Sequence, residues 1–163
     1  MVLAIFIKGV ICMSELYLYH ATDRKNLESI LKNGLLINPP DRNFDNMYVE
    51  DQLFLAFSCD AALEYLQELD NPPKDIIYLK IKLDSLHSSC ISYDWNNRCE
   101  YYKDINSIAY EADIPGNCIS TCSPSSEPSQ DIWDFKRTDL FDIVMDTFDY
   151  EVETNLEHED DDY

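Results

Sequence analysis

Glycine is scarce in this chain, and its scarcity excludes two common nucleotide-binding loops. The 163 residues include 3 glycines, Gly9, Gly34 and Gly116. A G-x-G-x-x-G dinucleotide loop and a G-x-x-x-x-G-K phosphate loop both need glycines close together in sequence. Neither loop is present, so a nucleotide would have to be bound by other means.

Basic residues are also few. The chain has 12 Lys and Arg against 32 Asp and Glu, which gives a formal charge of −20. Proteins that grip phosphate backbones do so with clustered Lys and Arg, so direct binding to a nucleic-acid backbone is not expected. The acidic excess fits a surface that keeps the protein soluble, or one that imitates nucleic acid toward a basic partner.

No apolar run is long enough to cross a membrane. Residues 1–12 (MVLAIFIKGVIC) are apolar, but the run is short, Lys8 interrupts it, and it carries no export cleavage site. We interpret it as an N-terminal extension or an extra strand, with Met13 as an alternative start. No membrane partner is expected.

The cysteines do not have the spacing of a disulfide framework or of a metal site. There are 6 of them, irregularly spaced, and His87 is the histidine nearest to the later ones. Structural zinc needs four converging ligands, so no metal is expected and buried free thiols explain the pattern better. We therefore expect a cytoplasmic protein, in a bacterial or host cytosol, with reduced cysteines.

The apolar patterns predict a single α+β domain over residues 13–150. Strand patterns alternate with helix patterns in its first half, and strands precede a last helix in its second half. The predicted strands are 16–20, 52–58, 75–84, 107–112 and 118–122, and the predicted helices follow Thr22 or Asp23, Ser58 or Asp60, and Thr138. The order favours a mostly antiparallel sheet flanked by short helices.

Two further segments are polar. Residues 123–130 are rich in Pro and Ser and are interpreted as a linker or long loop. Residues 151–163 are strongly acidic and are expected to form a flexible tail.

The stretch LYHATDRKNLESILKNGL, residues 18–35, resembles the ADP-ribosyltransferase superfamily, which includes bacterial toxins, poly(ADP-ribose) polymerases and small bacterial and phage proteins. The resemblance implies a split, mostly antiparallel fold and NAD as substrate. It implies that His20 binds a ribose hydroxyl of NAD. It also implies that the backbone at Ala21 and Thr22 approaches the nicotinamide amide.

A second stretch, LFLAFSCDAALEYLQE, is similar to the strand-to-helix segment of the same superfamily. Two aromatic residues there lie eleven positions apart, as Phe54 and Tyr65 do. The resemblance implies that Phe54 lies near the nicotinamide, that Tyr65 stacks on its ring, and that Ser58 matches a common serine. Phe54 replaces a tyrosine, so the phenolic hydroxyl is missing.

Active members of the superfamily carry a glutamate on a later strand, beside the nicotinamide ribose. The segment SIAYEADIPGNCI makes Glu111 the first candidate, and Glu100 in CEYY is the second. A carboxylate at this position stabilises the positive charge that develops on the ribose as the glycosidic bond breaks.

The resemblance therefore implies an NAD-dependent mono-ADP-ribosyltransferase that acts on a macromolecular acceptor, either protein or nucleic acid. We expect a protein acceptor because of the negative charge. The alternative is a catalytically inactive protein of the same fold that acts as an acidic, nucleic-acid-mimicking inhibitor in a phage–host conflict.

Overall fold

The computed structural model describes residues 15–38, 51–97 and 99–148. The predicted extension at 1–12 and the predicted tail at 151–163 lie outside these residues. The strands are β1 (Tyr17–Asp23), β2 (Leu53–Ala56), β3 (Ile76–Lys82), β4 (Ile91–Tyr93), β5 (Ser107–Tyr110) and β6 (Ile119–Cys122). The helices are α1 (Leu27–Asn33), α2 (Cys59–Gln67) and α3, which covers residues 139–148.

The strands form one six-stranded sheet in the order β4-β5-β2-β1-β3-β6. Every neighbouring pair in this sheet is antiparallel. The predicted α+β class with antiparallel strands is therefore confirmed. Strand β1, which carries His20, lies in the interior of the sheet, between β2 and β3.

The ends of the predicted helices follow from local sequence. The Ser58 side chain accepts a hydrogen bond from the backbone N–H of Ala61, so Ser58 caps α2 as predicted. Helix α1 ends before Gly34, whose φ is +91°. A side chain there would be strained, and its Cβ would lie 2.5 Å from the carbonyl oxygen of Ile114.

Two segments differ in part from the sequence interpretation. The predicted strands left residues 85–106 without one, but Ile91–Tyr93 forms β4 at one edge of the sheet. Of the two interpretations of residues 123–130, a linker or a long loop, the structure fits the long loop, because Glu127 and Gln130 hydrogen-bond to residues in or next to β1 and β2. Their polar character reflects these contacts as well as exposure.

The sheet is covered on both faces. The larger apolar cluster lies between the sheet and α3, and we call this side of the sheet the α3 face. The cluster includes Leu18, Leu55 and Leu79 of the sheet and Val144 of α3. The smaller cluster lies on the opposite side, the α2 face, and includes Tyr19 of the sheet and Ala62 of α2. Strand alternation divides β3 between these faces, with Leu79 and Ile81 fully buried on the α3 face.

Among the residues that the structure describes, no helix is both long and apolar enough to cross a bilayer.

Candidate functional site

The boundary between β1 and β2, which we call the seam, is the weakest join in the sheet. On its other side, β1 pairs with β3 over seven consecutive residues, from Tyr17↔Lys82 to Asp23↔Ile76. Between β1 and β2 the ladder consists of the single pair Tyr19↔Ala56. The two halves of the sheet are therefore held together at the seam mainly by side chains.

One of these side chains belongs to Gln130. Its Nε2 donates to the carbonyl oxygen of Tyr17 at 3.0 Å and to that of Phe57 at 2.8 Å. The two carbonyls belong to opposite sides of the seam, so one amide group connects both halves of the sheet. Sequence reasoning missed Gln130, because it assigned the residue to a loop.

The second connecting side chain is that of His20, the residue that the resemblance assigns to a ribose hydroxyl. Its Nδ1 lies 3.1 Å from the carbonyl oxygen of Phe54, across the seam. A carbonyl can only accept, so Nδ1 carries the hydrogen and Nε2 is the acceptor nitrogen of the neutral ring. Burial lowers the pKa of His20, against the smaller raising effect of the Phe54 carbonyl, and this favours the neutral form.

Ala21 lies just beyond the end of this ladder. The backbone groups of Leu16 and Arg24 hydrogen-bond to residues next to β3, so the N–H and C=O groups of the even-numbered β1 residues point toward β3. The N–H and C=O groups of the odd-numbered residues, including Ala21, point toward β2. The ladder on that side stops at Tyr19. The strand therefore presents the Ala21 N–H and C=O toward β2, where Ala21 has no ladder partner among the residues that the structure describes.

The neighbouring residue Thr22 is 9% exposed. Its Oγ1 accepts a hydrogen bond from Asn26 Nδ2 at 3.2 Å, which ties the end of β1 to the chain before α1. Its side chain is therefore already engaged, and its backbone points toward β3, where Thr22 pairs with Ile77, so the structure does not bring Thr22 to the predicted nicotinamide contact.

The two predicted aromatic residues do meet. The rings of Phe54 and Tyr65 stack with centroids 5.3 Å apart and planes 13° apart. They therefore stack on each other, with no third ring between them. A nicotinamide ring could stack only on an outer face of this pair.

A buried carboxylate fixes Tyr65. The Tyr65 hydroxyl donates to Asp94 Oδ2 at 2.8 Å, and Ser107 Oγ donates to the same oxygen at 2.7 Å. The backbone N–H of Asn96 donates to Asp94 Oδ1 at 3.1 Å. Asp94 is 1% exposed, and burial raises the pKa of its carboxyl group although these hydrogen bonds lower it. The pKa of Tyr65 is also raised, first by burial and then by the neighbouring Asp94 carboxylate.

Sequence reasoning missed Asp94 as well. The residues Ile91, Ser92, Tyr93 and Asp94 alternate between apolar and polar, and that alternation was the available signal for β4 and for a carboxylate facing α2. The polar residues around the short segment concealed it.

Glu111, the first catalytic candidate, lies at the same end of the sheet as Ala21. It directly follows β5, and β5 pairs with β2 through Leu53↔Tyr110. Strand alternation places its side chain on the α2 face, as it does that of Phe54. Glu111 is exposed, and its Oε1 accepts from Gln52 Nε2 at 3.0 Å.

Glu100, the second candidate, is not brought to the seam. It is exposed and borders a surface cavity with Tyr101, Lys103 and Phe148. Phe148 belongs to the cluster on the α3 face. Of the two glutamates, Glu111 is therefore the one that shares the α2 face with Phe54.

The predicted residues approach the seam from two sides. His20 pairs with Leu79 across β1 and β3, which places its side chain on the α3 face. Phe54 shares the α2 face with Ala56 and stacks on Tyr65. The two side chains therefore lie on opposite faces of the sheet, and His20 contacts the backbone carbonyl of Phe54, not its ring.

The two basic residues that directly follow β1, Arg24 and Lys25, are already paired. Arg24 Nε lies 3.0 Å from Asp75 Oδ1, and Lys25 Nζ lies 3.7 Å from Asp23 Oδ2. Both pairs are largely exposed, so they are weak and an incoming diphosphate could compete for the cations.

Within residues 15–38, 51–97 and 99–148, no three His, Cys, Asp or Glu side chains gather as a metal site. No protein-family model matches the chain, and no curated protein matches it significantly.

Proposed function

We propose that the chain binds NAD at the seam and transfers its ADP-ribose to a macromolecular acceptor, with protein as the favoured class. The observation that carries the proposal is the interruption of the β1–β2 ladder after Tyr19↔Ala56, next to His20 and Ala21. An interrupted ladder leaves backbone donors and acceptors to face a ligand instead of a strand.

The chemistry of that opening suits a carboxamide. The N–H and C=O of Ala21 are one donor and one acceptor on the same side of the strand, and a carboxamide offers one acceptor and one donor in return. His20, with Nδ1 engaged by Phe54, has Nε2 as an acceptor for a ribose hydroxyl. This is the role that the superfamily resemblance assigns to His20.

An aromatic surface is also close. The Phe54–Tyr65 pair lies on the α2 face of the strand that borders the seam, and both residues are half-buried. In this proposal the nicotinamide ring stacks on an outer face of the pair, while Asp94 holds Tyr65 in place. Binding a nicotinamide ring against it would bury apolar surface and restrict the orientation of the leaving group.

The reaction needs little covalent help from the protein. The bond between the nicotinamide nitrogen and the ribose C1′ breaks, nicotinamide leaves, and positive charge develops on the ribose. The acceptor nucleophile then bonds to C1′ and loses its proton. In this proposal Glu111, which accepts a hydrogen bond from Gln52 in the free protein, is the carboxylate that stabilises that charge.

The test combines binding with turnover. The protein is incubated with NAD labelled in its adenylate half and with bacterial lysate, and label transfer and released nicotinamide are both measured. The variants are His20→Ala, Glu111→Gln and, as a matched control, Glu100→Gln, which changes an equally exposed glutamate away from the seam. NAD binding is measured in parallel by calorimetry.

We expect His20→Ala to weaken NAD binding and Glu111→Gln to lower transfer at least 100-fold with NAD binding retained. Glu100→Gln should behave as the original chain. Loss of transfer in Glu100→Gln alone would overturn the assignment of Glu111. Absence of both NAD binding and transfer in the unmodified chain would overturn the proposed function.

The alternative is an inactive protein of this fold that binds a basic partner through its acidic surface. The formal charge of −20 favours it, since opposed charges steer association. Capture of basic proteins that weakens steeply between low and high salt, with no NAD binding, would support this alternative.

A further inference from the structure

Two cysteines far apart in sequence lie side by side at the edge of the α2 face. Cys59 is the first residue of α2, and Cys122 is the last residue of the edge strand β6. Their sulfur atoms are 3.9 Å apart. Cys59 is buried and Cys122 is half-buried, so Cys122 is the more exposed residue of the pair.

The surroundings make the pair a junction between three parts of the fold. Both cysteines pack in the cluster that joins α2 to β1 and β3. The segment that follows Cys122 places Glu127 against Tyr19 at 2.8 Å and against Lys80 at 3.3 Å. It then supplies Gln130 to the seam. A covalent bond between the two sulfurs would join α2 to this segment.

From this geometry we propose that Cys59 and Cys122 form a thiol oxidation site, which a low-molecular-weight disulfide converts to an intramolecular disulfide. The proposal does not depend on NAD binding at the seam. The bond would attach the N-terminus of α2, the helix that carries Tyr65, to the end of β6.

The step follows ordinary thiol–disulfide exchange. The Cys122 thiolate attacks one sulfur of oxidised glutathione, the glutathione S–S bond breaks, and one glutathione leaves. The Cys59 thiolate then attacks Cys122 Sγ and displaces the second glutathione. Two electrons pass from the pair to the oxidant, and the two thiol protons end on the released glutathione.

The order of attack follows from exposure. Burial raises the pKa of the Cys59 thiol to about 12. Burial also raises the pKa of Cys122, which the hydrogen bond with Cys59 lowers, Glu127 raises further, and Lys80 lowers to a smaller extent. The half-buried Cys122 is thus the entry point, and Cys59 completes the bond inside the fold. The reaction should be slow at neutral pH and accelerate as the pH rises.

The experiment exposes the reduced, folded protein to oxidised glutathione, blocks remaining thiols in acid, and maps linked peptides by mass spectrometry without reduction. The same treatment in urea supplies the reference for random pairing. The variants are Cys59→Ala, Cys122→Ser and the control Cys118→Ser, which removes a half-buried cysteine near β6 that is not part of the pair.

We expect a Cys59–Cys122 linked peptide as the main product of the folded chain, at least 10-fold enriched over the urea reference. Cys118→Ser should retain it, and the thermal midpoint should rise by roughly 5 °C or more on oxidation. In Cys59→Ala, Cys122 should stop at the mixed disulfide with glutathione. Adducts on other cysteines without the link, or no enrichment over urea, would overturn the proposal.

Discussion

Replacing Asp94 should destabilise the protein strongly, because this carboxylate is buried and accepts several hydrogen bonds. The carboxylate accepts hydrogen bonds from Tyr65, Ser107 and the backbone of Asn96. A hydrogen bond to a charged group contributes about 1.5–3 kcal/mol, so three amount to roughly 4.5–9 kcal/mol before offsets. Removing the buried charge recovers several kcal/mol of desolvation, which leaves a net loss of about 3 kcal/mol for Asp94→Ala.

Asp94→Asn is the informative partner of that variant, because it keeps the shape and removes the charge. Its amide NH₂ replaces one acceptor oxygen, so at least one hydrogen bond must be rearranged, and we expect a loss of about 1–2 kcal/mol. Tyr65→Phe and Ser107→Ala each remove one donor to the carboxylate and should cost about 1.5–3 kcal/mol. Urea unfolding followed by circular dichroism, with a check for two-state behaviour, measures all four.

The pH dependence tests the electrostatic part of the argument. Burial raises the pKa of Asp94 above its ordinary value of 3.8. A carboxyl with a raised folded pKa contributes stability that is complete below the unfolded pKa and is lost as the pH rises through the folded pKa. The stability advantage of the unmodified chain over Asp94→Asn should therefore shrink as the pH rises from about 4 to 7.

Two outcomes would refute this reasoning. An Asp94→Ala variant within about 1 kcal/mol of the unmodified chain would mean that the hydroxyls of Tyr65 and Ser107 find other acceptors at no loss. An advantage over Asp94→Asn that grows between pH 4 and pH 7 would mean that the hydrogen bonds outweigh burial and that the pKa of Asp94 is lowered instead.

Two further predictions concern the backbone. Gln130→Ala removes both hydrogen bonds across the seam and should lower the free energy of unfolding by about 1–2 kcal/mol in a urea titration, whereas an unchanged value would mean that water replaces the amide fully. Gly116→Ala should lower the free energy of unfolding by more than about 2 kcal/mol, because the new Cβ would lie 2.1 Å from the backbone oxygen of Leu31. Its control is Asn117→Ala, which changes an exposed neighbour. Equal urea midpoints for the two variants would contradict the predicted clash with Leu31.

Much of the local structure could be predicted because its cause is local. The alternation in β3 matches its burial, and Ser58 caps α2 through a hydrogen bond to a residue three positions away. Gly34 ends α1 because the backbone turns to a positive φ there. The periodicity of the apolar residues likewise indicated the helix at 139–148 and the α+β class.

The candidate site could be predicted only in part. The sequence pointed to His20 and to the stacked pair of Phe54 and Tyr65, since each lies in a short recognisable stretch. It could not show that His20 reaches the seam through the Phe54 carbonyl, or that the two rings contact each other directly. Those facts depend on which strands pair and where their ladder stops.

What the sequence by itself determined is therefore the set of elements: strands from alternation, helices from their apolar period and caps, and an acidic surface from composition. The tertiary structure decided the contacts that span the chain. It brought Asp94 to Tyr65, 29 positions away, Cys122 to Cys59, 63 positions away, and Gln130 to Phe57, 73 positions away. Such contacts depend on strand order and register, which long-range packing fixes and no single stretch of sequence encodes.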